Sequence, residues 1–140
     1  AAVDGTEVAV IHAGWKGLAS GVIENTISRM STSTSSLAVF LGPAIGSCHF
    51  EVGAQVRNYF LAASGSPSLV PAMEACFVCS KNSGKYMADL YAIARLKLSA
   101  LGIDKISGGA YCTHCDDDKF FSYRRDGVTG RMLNAIYIEA

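Results

Sequence analysis

The sequence is short of several things, and each shortage narrows what the chain can be. It has no excess charge: 12 Lys and Arg stand against 12 Asp and Glu, a formal net charge of zero. A nucleic-acid footprint needs cations clustered on one face. The one dense basic pair, Arg124-Arg125, can grip a phosphate or a carboxylate but not a duplex. No apolar run reaches the ~18 residues of a membrane span, so no membrane partner is expected. The start, Ala1-Ala2-Val3-Asp4-Gly5, lacks a basic stretch leading into an apolar one and does not read as a signal peptide. It also lacks an initiator Met, which fits a processed or truncated start. Cysteine is present in an odd number, five, so a complete disulfide framework is not expected. Free thiols in a reducing compartment follow, with cytoplasm as the expected location. The three histidines form no His-x-His pattern, which argues against multicopper chemistry.

What is there is the composition of a folded domain. Half the residues are hydrophobic and 17% are charged, the balance of a globular chain. A chain of this size buries roughly 68–70% of its unfolded surface. Residues 6–12 read as a strand and 13–17 as a glycine-punctuated turn. Residues 19–30 read as a helix with Val22, Ile23, Thr26, Ile27 and Met30 on one face. A strand at 37–41 stops at Gly42-Pro43, and 51–63 reads as a second helix. Residues 73–78 stay open, with a strand as one reading. The clearest helix is 86–101, with Gly102 in the C-cap place. Residues 105–110, 119–123 and 134–138 read as strands. This order predicts α/β or α+β, with helices layered on mixed β-sheets. Asp4-Gly5 is a hairpin-turn signal with only three residues before it. The first half of that hairpin is therefore expected upstream, or on a complementary chain, and an open sheet edge left behind would drive association.

Several segments carry candidate chemistry. His12, at the end of an apolar run and before Gly14, suits a rigidly held metal ligand and equally a structural histidine. The loop Gly42-Pro43-Ala44-Ile45-Gly46-Ser47-Cys48-His49 has amides that can hold an anion at a helix start, or is a plain tight loop. Cys48 is a nucleophile if its pKa is lowered there and an inert thiol otherwise. Cys76-x-x-Cys79 and Cys112-x-x-Cys115 invite a Cys₄ zinc reading. The 32 residues between the pairs exceed the usual ~15–20, which favours separate free thiols. Arg124 and Arg125 fit a phosphate or carboxylate, or pair with Asp126 in a turn.

Taken in order, six segments resemble one family. They are His-Ala-Gly-Trp-Lys-Gly (12–17), Gly-Pro-Ala-Ile-Gly (42–46), Phe-Glu-Val-Gly (50–53), Tyr-Met-Ala-Asp-Leu (86–90), Cys-Thr (112–113) and Phe-Phe-Ser-Tyr-Arg-Arg-Asp-Gly-x-Thr-Gly-Arg (120–131). This set is similar to the laccase-domain, multicopper polyphenol oxidase-like family. The resemblance implies that residues 1–140 are the C-terminal part of a single laccase-like domain whose N-terminal half is missing. It implies a layered α/β fold, grouped with the necrotizing-factor deamidase domain, a cysteine-hydrolase-type fold. It also implies a zinc-dependent enzyme that cleaves inosine, adenosine or methylthioadenosine with phosphate, in some members with adenosine deamination. Peptidoglycan precursor editing and copper-dependent phenol oxidation are alternative activities described for the family, and an inactive fragment awaiting a partner chain is a third reading. The family's zinc is held by a His in Gln-Val-His-Gly, a Cys in Ala-Asp-Cys and the His of His-Ala-Gly-Trp, of which this chain carries only His12. Cys48 and Cys112 become candidate catalytic residues, Arg124 and Arg125 candidate substrate-binding residues, and His49 a pocket wall or packing residue.

Overall fold

The computed structural model describes residues 1–139. In chain order its elements are α1 (Trp15–Ala19), α2 (Val22–Ile27), β1 (Ala38–Leu41), β2 (Glu51–Gly53), α3 (Ala54–Ala62), α4 (Val70–Ala75), β3 (Phe77–Cys79), β4 (Lys85–Ala88), α5 (Leu90–Ala100), β5 (Lys105–Gly108) and α6 (Tyr123–Asp126). Two small sheets result. β1 and β5 pair in parallel, and β2, β4 and β3 form an antiparallel sheet in that order. The expectation of helices on mixed sheets therefore holds.

Helix α5 is the centre of the core. Its Leu90, Ile93, Ala94 and Leu98 are buried, in one cluster with Ile23 and Ile27 of α2, Phe60 of α3, Met73 of α4 and Phe77 of β3. Phe60 and Phe77 meet as tilted rings 5.7 Å apart. The helix starts at Asp89, whose Oδ1 accepts the Ala92 amide at 2.9 Å. That cap corrects the expected helix over 86–101: an aspartate side chain that satisfies an early helix amide marks the start, and the residues before it are bonded sideways. Met87 pairs with Glu51, and Tyr86 with Val52. For the same reason the expected helix over 51–63 begins as strand β2.

Other expectations are also corrected. The expected helix over 19–30 shortens to α2, and α1 takes up most of the expected turn at 13–17; Gly21 between them sits at φ +81° in the left-handed region, which breaks a right-handed helix. Residues 73–78 divide between α4 and β3. Residues 6–12 form no strand, and neither do 119–123 or 134–138. Each has a strand-like apolar pattern, but a strand exists only where a neighbour takes up its backbone groups. Leu133 and Tyr137 instead stand exposed. The Asp4-Gly5 turn does form, with the Ala2 amide donating to the Glu7 carbonyl at 2.8 Å. Ala2 bridges Leu37 antiparallel, so the N-terminal residues are pinned beside β1.

One ionic contact crosses the core. Lys97 of α5, 8% exposed, reaches Glu24 of α2 at 2.6 Å, and the other Glu24 oxygen is buried without a partner. Removing one member of a buried pair strands the other charge. Glu24→Ala is therefore expected to lower unfolding free energy by about 3 kcal/mol. Lys97→Met keeps the apolar stem and leaves unpaired a carboxylate whose side chain is 37% exposed and can turn to water, so it should cost clearly less. Urea unfolding of both variants checks this order, and equal losses would contradict it.

Candidate functional site

The parallel pair β1–β5 sets the geometry. Its register runs from Ala38↔Lys105 to Leu41↔Gly108, so both chains leave the sheet at the same, carboxyl end. Gly108 has φ +75°, and a Cβ there would collide with the Leu41 carbonyl. Only glycine allows the two backbones to close at this point. The Gly109 amide then donates to the Leu41 carbonyl at 2.8 Å. Ala44 and Cys112 form one further parallel bridge, sealed by the Thr113 amide on the Ala44 carbonyl at 2.9 Å. Tyr91 of α5 ties the two departing loops. Its hydroxyl oxygen accepts the Ala44 amide at 2.6 Å and its proton serves the carbonyls of Tyr111 at 2.9 Å or Gly42 at 3.2 Å. Burial raises the pKa of this phenol, which keeps the proton available to donate.

The loops bring four donors together. Cys48 and His49 lie in the turn before Phe50, and Cys112 and Cys115 bracket the next one. Their ligating atoms all lie within 4.8 Å of one another. Cys48 Sγ is 3.6 Å from Cys112 Sγ and 3.6 Å from Cys115 Sγ. His49 Nδ1 is 3.3 Å from the sulfurs of both Cys48 and Cys115. The His49 ring is held in place by stacking on His114, centroids 3.7 Å apart and 11° from parallel. Gly46 makes the approach possible, since a Cβ there would lie 3.2 Å from Cys112 Cβ and 3.3 Å from Cys48 Sγ. This donor set can hold a metal ion.

The thiols are unequal. Burial opposes ionisation of Cys112, but the amides of Gly46, Cys115 and His114 outweigh it and bring its pKa down to about 6. The Gly46 amide lies 3.2 Å from this sulfur. Cys115 is pushed up to about 12 by its hydrogen bonds to Cys112 and Cys48, and Cys48 is raised by burial. The cluster therefore holds one ready thiolate flanked by two protonated thiols. The Gly46 amide faces Cys112 Sγ, the His49 and Phe50 amides donate to the Gly46 carbonyl, and a strand rather than a helix follows the loop. The anion site expected at a helix start is thus corrected.

Arg125 holds the Cys112–Cys115 turn from behind. It donates to the carbonyls of Thr113, His114 and Phe120 at 2.9, 3.2 and 3.0 Å, and grips Asp126 through two nitrogens at 2.7 and 2.9 Å. All its donor nitrogens are engaged within the chain. Arg124 is exposed. It donates to the Glu51 carbonyl at 3.0 Å and lies 5.4 Å over the Phe50 ring. His12 is exposed and joins no group of three metal-binding side chains among the described residues. A Cβ at Gly14 would lie in ordinary contact with its Nε2, at 3.5 Å. Cys76 is buried, its thiol pushed up to about 11 by burial and by Asp89. It does not join Cys112 and Cys115, in keeping with the expectation that the two Cys-x-x-Cys segments do not share one site; what that expectation lacked is that Cys112 and Cys115 lie together with Cys48 and His49. His49 stands among the donors instead of serving as packing. Two hollows of about 210 and 630 Å³ lie beside Ser64 and Lys97 and around Val22 and Arg29. Neither is lined by His12, Arg124, Arg125 or the thiol cluster.

Glu51 secures the strand that follows the cluster. Hydrogen bonds from Ser80, Lys85 and Asn82 lower its pKa from 4.5 to about 2, with Lys85 Nζ at 3.0 Å and Asn82 Nδ2 at 2.7 Å. A folded pKa below the unfolded one means stability that is complete above the unfolded value and lost as pH falls through the folded one. Glu51 should thus contribute at neutral pH and lose its contribution between about pH 4.5 and pH 2. Glu51→Gln is expected to reduce stability at pH 7 and flatten the acid limb in that window. An unchanged acid limb in thermal unfolding would contradict this.

Comparison with known proteins agrees with the fold and the motifs. The multi-copper polyphenol oxidoreductase laccase family matches residues 1–139. A purine nucleoside phosphorylase of Pseudomonas aeruginosa is 44% identical over 96% of this chain and 53% of its own length. The purine nucleoside phosphorylase YfiH of Shigella flexneri is 45% identical over 96% of this chain and 52% of its own. Among solved structures, Neisseria meningitidis protein NMB0706 superposes with a TM-score of 0.71 at 45% identity, covering 83% of this chain and 45% of that one. The chain thus spans about half the length of the curated relatives it matches. With the motifs, the layered fold and this match in agreement, the chain belongs to the multi-copper polyphenol oxidoreductase laccase family.

Proposed function

We propose that this chain takes part in zinc-dependent phosphorolysis of purine nucleosides, with adenosine deamination as a second reaction. The observation that carries the reading is the likeness, at 44–45% identity across 96% of the chain, to relatives named purine nucleoside phosphorylases. In phosphorolysis of inosine the bond from ribose C1′ to the base nitrogen breaks, a phosphate oxygen bonds to C1′, and the base leaves with a proton as hypoxanthine. Zinc, when bound, supplies Lewis-acid stabilisation and the means to activate water.

His12, exposed and next to the Gly14 turn, fits one corner of a two-His, one-Cys set. The other two donors belong to residues outside this chain, supplied by a further segment or a complementary chain. Arg124 is the residue for the phosphate. Its guanidinium is exposed and planar, suited to two oxygens of one phosphate, and is steadied by the Glu51 carbonyl and the Phe50 ring. Arg125 acts as a positioning residue, because its donors already hold the Cys112–Cys115 turn.

The test is incubation with inosine and with methylthioadenosine, with and without phosphate, and chromatography of the released base. Phosphate-dependent release that falls at least a hundredfold in His12→Ala, an order typical of lost catalytic groups, is the expected result. No base from inosine, adenosine or methylthioadenosine, once the other two ligands are supplied, would overturn the reading.

A further inference from the structure

We propose that Cys48, His49, Cys112 and Cys115 bind one zinc ion in a closed tetrahedral site that clasps the two loops leaving β1 and β5. His12 is not one of its ligands. The argument begins with the edges of the donor polyhedron. Zinc bonds of about 2.3 Å to sulfur and 2.0–2.1 Å to nitrogen require ligand separations of about 3.8 Å between sulfurs and about 3.6 Å between sulfur and nitrogen. The observed separations are 3.6 Å for two sulfur pairs and 3.3 Å for two sulfur–nitrogen pairs. Four of the six edges thus lie within about 0.3 Å of the zinc values, and all six lie within 4.8 Å. A disulfide would need sulfurs at about 2.05 Å, far closer than any pair here.

The chemistry is consistent with that geometry. Three cysteines and a histidine fill all four positions, the mark of a structural rather than a catalytic zinc. The supports that orient such ligands are also present. The Gly46 amide points at Cys112 Sγ, His114 fixes the His49 ring by stacking, and Arg125 fixes the turn between Cys112 and Cys115. Zinc takes all three sulfurs as thiolates, which gives a centre of net charge −1, with the Arg125 cation held on the same turn. The proposal gives Cys48 and Cys112 the role of ligands in place of nucleophiles.

The full chain, purified under reducing conditions, is expected to carry one zinc that survives His12→Ala and Cys79→Ser and is lost in Cys115→Ser, as read by elemental analysis. Cobalt(II) added to the metal-stripped chain should give thiolate-to-cobalt charge-transfer absorption and intense visible bands of a tetrahedral ion, and this decides the matter even if Cys115→Ser does not fold. Four results would overturn the proposal. One is metal-free protein without those cobalt bands. The second is a disulfide joining two of the three cysteines. The third is stoichiometric copper in place of zinc. The fourth is zinc that disappears with His12→Ala alone, which would leave the nucleoside reading standing while removing this one.

Discussion

Closure of the parallel pair between Ala38–Leu41 and Lys105–Gly108 is the constraint on which the candidate site depends. Parallel strands send both chains out at one end, and ligand sites in α/β sheets gather at the carboxyl ends of strands. Here the pairing extends through the Ala44–Cys112 bridge, and the Tyr91 hydroxyl holds both loops to α5. Without Gly108 the two backbones would stand apart. Without Gly46 the Cys48 and Cys112 side chains would be pushed apart at their closest approach. The thiol cluster is thus a consequence of backbone topology, and the core beneath it, centred on Ile93 and Leu98, exists to hold α5 and its tyrosine in place.

The sequence made the α/β class legible, along with the family motifs and the central helix, whose buried stripe repeats at helical spacing. It did not reveal where that helix begins. Residues 86–88 continue the apolar pattern, and only the Asp89 cap and the pairing of Tyr86 with Val52 and Cys79 show that they are strand. Apolar alternation over 6–12 and 134–138 was no guide either, because strand formation depends on a neighbour that local sequence does not describe. The cluster was half legible. Cys112-x-x-Cys115 was visible as a ligand pair, but its partners are the adjacent Cys48 and His49, which no spacing rule links to it. Cys76-x-x-Cys79 is not a partner, as the 32 residues between the two pairs already argued. A hint was available in the paired strand–glycine loops at Leu41-Gly42 and Gly108-Gly109, which place Cys48 and Cys112 downstream of two strands able to pair.

The arginines show how one motif divides into two roles. Arg124 and Arg125 are adjacent, yet α6 turns them to different surroundings. Arg125 is enclosed by carbonyls and Asp126, so its work is to shape the turn that carries two cysteines. Arg124 remains at the surface over Phe50, beside the strand that Glu51 anchors. His12 and Arg124 are the residues proposed for the nucleoside reaction. The thiol cluster has the donor count and the internal supports of a structural clasp.

The most direct measurement of that clasp is zinc K-edge X-ray absorption on the His12→Ala chain. The account predicts a first shell of three sulfurs at about 2.3 Å and one nitrogen at about 2.0–2.1 Å. A shell of nitrogen and oxygen alone, or one with a single sulfur, would contradict it.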